Sequence, residues 1–203
     1  MVRSGLCSPH ESDEGFGMNP ASVVKSTDRT PLASSSLRDA MACFATGVIV
    51  LSVGGEDIHG MTANAFTSVS LDPPTVLCCV ARDAVMHKAL TSQRRFGISV
   101  LEAGQEQLAR YFADKRRPLG PEQFDGLDWD LGEFSQAPLL HGALAWLECE
   151  LTASHDSGDH TLFLGRVADT KTRTGGSGLL FFGSAFLETG TRGGERTGEP
   201  GHA

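Results

Sequence analysis

The run richest in reactive side chains is His155-Asp156-Ser157-Gly158-Asp159-His160, which gathers four potential metal ligands within six residues. Imidazole and carboxylate donors of this kind could hold zinc or another transition metal. The Ser-Gly-Asp centre is turn chemistry, however, and two His flanking a hairpin are expected to face different ways, so no metal site is expected. The five cysteines are odd in number and show no CxxC spacing. A disulfide framework and a structural zinc site are therefore both disfavoured. Cys78 and Cys79 are neighbours on one expected strand and must point to opposite faces. Together with Cys43 and Cys149 they are expected as small buried hydrophobes. Gly176-Ser177-Gly178 begins a dinucleotide-like string, but Phe181 fills its last position and a strand pattern follows, which disfavours a dinucleotide fold. No Walker loop, HExxH or GxSxG occurs. The run from Gly60 to Val76 is different in kind: small and hydroxyl side chains, Thr62-Ala63-Asn64-Ala65-Phe66-Thr67-Ser68-Val69-Ser70, end at Asp72-Pro73-Pro74. By itself it reads as a Thr/Ser-rich strand and turn.

The elements that must position these residues follow from periodicity. Ser36-Leu37-Arg38-Asp39 fits a capping box, with Leu37, Met41 and Phe44 at helical spacing and Gly47 as the stop. The β-branched run 48–53 reads as a strand ending at Gly54-Gly55, and strands are expected over 58–63, 65–71 and 75–81. Pro73-Pro74 fixes the loop before the last of these. Residues 85–93 turn helical with Val85, Ala89 and Leu90 apolar. Residues 96–101 are extended, and 105–113 form a short helix with Leu108, Tyr111 and Phe112 inward. Residues 114–142 are irregular, pinned to the core by Phe124, Trp129 and Phe134. Ala145, Leu147, Cys149 and Leu151 alternate with Trp146, Glu148, Glu150 and Thr152, a half-exposed strand. Ser157-Gly158-Asp159 makes the turn, 160–168 return, and 179–187 hold the last strand pair. Many strands, few helices and no βαβ alternation predict a mainly β chain, an antiparallel barrel rather than a doubly wound sheet.

The chain has 203 residues, enough for one domain with loose ends. Residues 1–35 and 190–203 are polar and Gly-rich and are expected as disordered tails, with 36–189 as the folded unit; Met18 is an alternative start to Met1. The formal charge is −8. Nucleic acid and anionic membrane surfaces are thereby disfavoured as partners. No apolar run approaches the roughly 18 residues of a membrane span, and no secretory block opens the chain, so a soluble cytoplasmic protein is expected.

The Gly60 to Val76 run resembles the flavin reductase family, whose split barrel binds FMN or FAD. Further landmarks follow that family's order: Phe44-Ala45-Thr46-Gly47-Val48, Phe96-Gly97-Ile98-Ser99-Val100-Leu101, Gln107-Leu108-Ala109, Ala145-Trp146-Leu147-Glu148-Cys149, Gly158-Asp159-His160 and Leu162-Phe163-Leu164-Gly165-Arg166-Val167. The resemblance implies an antiparallel split β-barrel and an NAD(P)H-dependent reduction of FMN or FAD that supplies a partner monooxygenase. A flavoprotein reducing another acceptor, such as a metal chelate or corrinoid, and a non-enzymatic flavin carrier are the alternatives. By resemblance, Thr62, Ala63, Asn64, Ala65, Ser68, Val69 and Ser70 line the flavin, and Val80 and Ala81 approach it. The family's phosphate-holding Ser and Thr are replaced here by Ala84, Val85 and Met86, which leaves backbone amides, His87 and Lys88 as substitutes. Ser99 stands where the family often has Asn. Gly158 and Asp159 lead to His160, the implied catalytic residue, beside the nicotinamide of NADH or NADPH. A homodimer is also implied.

Overall fold

The computed structural model describes residues 33–190. The expected tails and the alternative start at Met18 lie largely outside them. Helix α1, Ser34–Ala42, begins inside the last residues assigned to the first tail. Its N-cap is Ala33 with no side-chain cap bond, so the expected capping box does not form. Gly47 does not end it either, because Gly47 lies in strand β1 (Thr46–Gly47). Nothing on α1 is buried: Leu37, Met41 and Phe44 form an apolar face in solvent, with Phe44 63% exposed. Cys43 is exposed as well, against expectation.

Seven strands build the main sheet: β2 (Ile49–Val53), β3 (His59–Ala63), β4 (Phe66–Leu71), β5 (Pro74–Ala81), β6 (Arg95–Val100), β9 (Ala145–Ser157) and β10 (His160–Thr172). They run antiparallel in the order β3-β2-β6-β9-β10-β5-β4. Strands β3 and β4 are therefore opposite edges, although only Asn64 and Ala65 separate them in sequence. Three Cα steps reach at most about 11 Å. The sheet must curl until its edges nearly meet, which makes a barrel left open along one seam. Strands β7 (Trp129–Leu131) and β8 (Pro138–Leu140) pair within the irregular stretch, while β11 (Leu179–Phe182) and β12 (Ala185–Glu188) pair with β1.

Two cores explain the sequence patterns. The barrel interior holds Leu51, Cys78, Val80, Phe96, Cys149 and Phe163, plugged by Met86, Ala89 and Leu90 of α2 (Val85–Gln93). Val85 itself is exposed, so Met86 and not Val85 faces inward. The second core lies outside the barrel, where Val48, Val50 and Leu101 meet Ala109 and Phe112 of α3 (Glu106–Ala113) and Phe124. Leu108 and Tyr111 only flank it. Strand β2 is thus covered on both faces, which is why it reads as an unbroken apolar run. Phe124 is sandwiched by Phe112 and Trp129, with centroids 5.5 and 5.7 Å away. Phe134 instead lies beneath Arg95, 4.5 Å from its guanidinium.

Strand β9 departs from simple alternation. Glu148, expected outside, is only 3% exposed. Its Oε2 accepts from the amides of Phe134 and Ser135 and from Ser135 Oγ, at 3.0, 2.6 and 2.7 Å. A carboxylate with three donors tolerates burial.

Candidate functional site

The seam opens onto two hollows that begin two residues apart, on either side of Ala63. Asn64, Ala65, Phe66 and Thr67 wall a groove of about 800 Å³, completed by Leu77 and Cys79 of β5, by Met41 and Phe44 of the α1 segment, and by Thr46 and Phe181. Small side chains at the seam leave main chain near the surface, although the Ala65 carbonyl already accepts from the Cys79 amide at 3.0 Å. Thr46 Oγ1 is buried in the groove wall with no hydrogen-bond partner. A buried hydroxyl without a partner is costly unless something supplies one.

On the other side of Ala63, Met61 and Thr62 line a cavity of about 300 Å³ with His59, Ala84, Lys115 and Arg117. Strand β3 is a sheet edge, and side chains replace the missing strand: the Gly60 amide donates to Gln123 Oε1 at 2.8 Å, while Arg117 donates to the Gly60 carbonyl. Gly60 must be glycine, because a Cβ there would stand 2.5 Å from the Phe112 ring. Thr62 Oγ1 donates to the Ala109 carbonyl at 2.7 Å, fastening β3 to α3.

Among the described residues Arg117 forms no carboxylate pair within 4 Å, and its Nε has no partner. Burial pushes its pKa below the usual arginine value. One terminal nitrogen lies 3.1 Å from His59 Nε2, and the imidazole can only accept there. Desolvation, with the Arg117 charge second, holds the His59 pKa down at about 4, so the ring is neutral near pH 7. The result is a partly buried cation positioned by a neutral histidine at the mouth of a small cavity.

The third component is the β9–β10 hairpin. Gly158 takes φ +61° at its tip, a left-handed conformation suited to glycine. Register pairs His160 with Ala81 and Ser157, and Leu162 with Cys79 and His155. His155 and His160 therefore share a face, contrary to expectation, and it is the face of the groove-lining Cys79. His160 stands two rungs beyond the groove-lining Cys79. Its Nδ1 is 2.8 Å from Asp159 Oδ1, a contact that lowers the Asp159 pKa. Among the described residues no three His, Cys, Asp or Glu side chains converge as a metal site would need.

Of the residues singled out from sequence, Asn64 and Ala65 line the groove, Ala63 joins the two hollows, Ala81 and His160 extend the groove's face, and Gly158 and Asp159 form the turn beside His160. Thr62 belongs to the cationic cavity. Others fall elsewhere. Val80 points into the barrel core, and only its backbone is available. Ser99 is fully buried, and its Oγ accepts from the Leu140 amide at 3.0 Å, far from a ligand role. Ser68, Val69 and Ser70 run along β4 away from the groove, where Ser70 Oγ accepts from the Asp72 amide at 3.2 Å. Lys88 is exposed and its charge favours ionised Asp57. His87 Nε2 is engaged by Thr161 Oγ1 at 2.9 Å. Arg117, Lys115, His59 and Thr46 were not anticipated. The signal for the first two was Lys115-Arg116-Arg117, three successive cations in a chain of net charge −8.

Comparison with known proteins assigns the class. Residues 41–190 match the family described as flavin reductase like domain, and the chain belongs to that family. It is similar to an NADH-dependent FAD reductase of Streptomyces globisporus, 52% identical over 167 residues, covering 82% of this chain and 89% of that one. An NADH-dependent flavin reductase of Pseudomonas fluorescens is 39% identical over 168 residues, covering 81% and 95%. Among solved structures, the flavin reductase component of a bacterial two-component tryptophan halogenase superposes with TM-score 0.74 at 46% identity, covering 77% of this chain and 98% of that one. The S. globisporus NADH:FAD oxidoreductase in complex with NAD and FAD fragments also gives 0.74, at 49% identity, covering 79% and 94%. The mainly β, antiparallel split barrel is the fold of these reductases.

Proposed function

We propose that this chain is an NADH:flavin oxidoreductase that reduces FAD or FMN and hands the reduced flavin to a partner monooxygenase. The observation that carries this reading is the seam, where an apolar groove and a cationic cavity meet at Ala63. A flavin nucleotide has the same two halves, a flat ring and an anionic tail. The ring suits the groove over Asn64 and Ala65, where Thr46 Oγ1 offers an unused polar group. The phosphate suits Arg117 and Lys115.

Bound flavin supplies the hydride-accepting chemistry, and the protein's task is to orient and shield. The Asn64-Ala65 main chain holds one ring face, which leaves the groove side open for the nicotinamide. His160, beside Ala81, is placed to hold the carboxamide or pyrophosphate of the donor, with Asp159 orienting its ring. No protein nucleophile or acid–base pair is required by this chemistry. Stacking the two rings at reacting distance is the main contribution.

The catalytic unit spans about 36–189. Exposed Phe44, Met41, Val69 and Leu71, the last 90% exposed, support a homodimer that buries them. No described helix is long and apolar enough to cross a membrane, and a cytoplasmic site of action fits NADH as donor. Anaerobic mixing with NADH or NADPH and with FAD, FMN or riboflavin tests the activity. Bleaching of the flavin's visible absorbance by NADH is expected. No bleaching with any pair would end this reading, and turnover only with a metal chelate or corrinoid would replace it.

A further inference from the structure

The tip of the β9–β10 hairpin has little packing of its own: residues 154–160 are all exposed, whereas Thr161 is 2% exposed. Thr161 is the middle of a polar chain that joins four parts of the fold. Its Oγ1 donates to Asp156 Oδ1 on β9 at 2.7 Å. A hydroxyl has one proton, so the 2.9 Å contact with His87 Nε2 must run the other way, from imidazole to hydroxyl. This assigns the Nε2–H tautomer to His87. The ring is held edge-on to Phe163, with centroids 5.2 Å apart. Arg82, in the link between β5 and α2, closes the chain 3.7 Å from Asp156 Oδ2. The Thr161 hydroxyl first, and Arg82 second, hold the Asp156 carboxylate below its usual pKa.

We propose that His87 is a positioning residue: through Thr161 and Asp156 it locks the hairpin carrying Asp159 and His160 against the first turn of α2, and so sets where the nicotinamide end of the donor is held. This rests on the reductase reading above. Strand β5 secures only the β10 side of the tip, through the Ala81–His160 rung and the 3.0 Å bond from the Arg82 amide to the Asp159 carbonyl. The β9 side reaches the body of the protein through Asp156 and Thr161. Without the imidazole donor, the chain loses its anchor on α2 while the barrel ladder remains.

His87→Phe keeps an aromatic ring near Phe163 but removes the donor, and His87→Gln restores an N–H. Steady-state kinetics on the full chain, varying NADH and flavin separately, should show the Phe variant's KM for NADH raised about 5–10-fold, the size of one lost hydrogen bond. The flavin KM should stay within about twofold, because the seam does not depend on this chain. The Gln variant should recover most of the loss, and the double variant His87→Phe with Thr161→Val should lose less than the two single losses combined. Hydrogen exchange provides a readout that needs no turnover: amides 155–160 should exchange faster in the Phe variant while those of β2 and β6 do not change. Equal rises in both KM values, no rescue by Gln, or unchanged exchange at the tip would overturn the proposal. A wild-type protein that does not oxidise NADH would instead sink the reductase reading, and the exchange experiment would still decide the role of His87.

Discussion

The two hollows at the seam begin two residues apart on one chain segment, yet opposite chemistry builds them. The groove is walled by Ala65, Leu77, Cys79 and Phe181, with one unpartnered hydroxyl at Thr46. The cavity is walled by Thr62, Lys115 and Arg117, with the neutral His59 behind the guanidinium. Apolar side chains and main chain make most of the first, with Arg38 as its charged lining residue, so it selects chiefly shape. Two cations, Lys115 and Arg117, outweigh the one carboxylate, Asp83, in the lining of the second, so it selects charge. The difference teaches that one ligand with a flat end and an anionic end can be read by two independent devices on a single strand edge. Removing either device should leave the other working.

Arg117→Ala is the strongest way to break that division. Losing a charge-assisted contact to phosphate should weaken FMN and FAD by roughly 10–100-fold, equivalent to about 1.5–3 kcal/mol. Riboflavin, which lacks the phosphate, should keep its KM. Arg117 also covers the Gly60 carbonyl at the β3 edge, so the melting temperature should fall, and the riboflavin comparison separates that effect from binding. An equal loss for all three flavins would show that the cavity does not read charge.

Acid should act on the cavity and spare the groove. His59 is 4% exposed and its pKa falls from 6.5 to about 4 on folding. Between those values the unfolded chain takes up a proton that the folded one refuses. Stability is therefore full above about pH 6.5 and declines as pH falls towards about 4. The loss is on the order of 2 kcal/mol, discounted from the full pKa difference for screening by nearby solvent. Urea unfolding at pH 7.5 and pH 5 should show the decline in the wild type, and His59→Gln should flatten it. A wild-type slope that survives in His59→Gln would assign the decline to another group.

The parts of this design that were legible in the sequence are those set by neighbours along the chain. β2 reads as a strand because both of its faces are covered, and β5 reads as one through its alternation of Val76, Cys78 and Val80 with Leu77 and Cys79. The hairpin at Gly158 follows from turn chemistry. What stayed hidden depends on partners far away in sequence. Glu148 looks like a solvent residue until the amides of Phe134 and Ser135 arrive. Ser99 looks like a ligand contact until the Leu140 amide takes its hydroxyl. Arg117 sits in a charged stretch with no periodicity, and its meaning comes from β3, nearly sixty positions earlier. The exposed face of α1 was hidden for the opposite reason: helical spacing of Leu37, Met41 and Phe44 says that a face is apolar and not what covers it.

The groove supplies the smallest expected effect and the sharpest contrast. Ala65 is exposed at the seam and touches neither core, so Ala65→Leu should change stability by less than about 0.5 kcal/mol. Its added methyl groups would occupy space against which a flat ring must lie. A displacement of that size in a tight contact commonly costs about 1 kcal/mol or slightly more, which corresponds to roughly five- to tenfold in KM. Because the groove reads shape and not charge, the loss should be the same for riboflavin, FMN and FAD, the reverse of the pattern expected for Arg117→Ala. Fluorescence titration of each flavin against both variants measures the two patterns side by side. If Ala65→Leu spared riboflavin and weakened only the phosphorylated flavins, the ring would not be lying over Asn64 and Ala65, and the two hollows would have to be exchanged in the proposed binding mode.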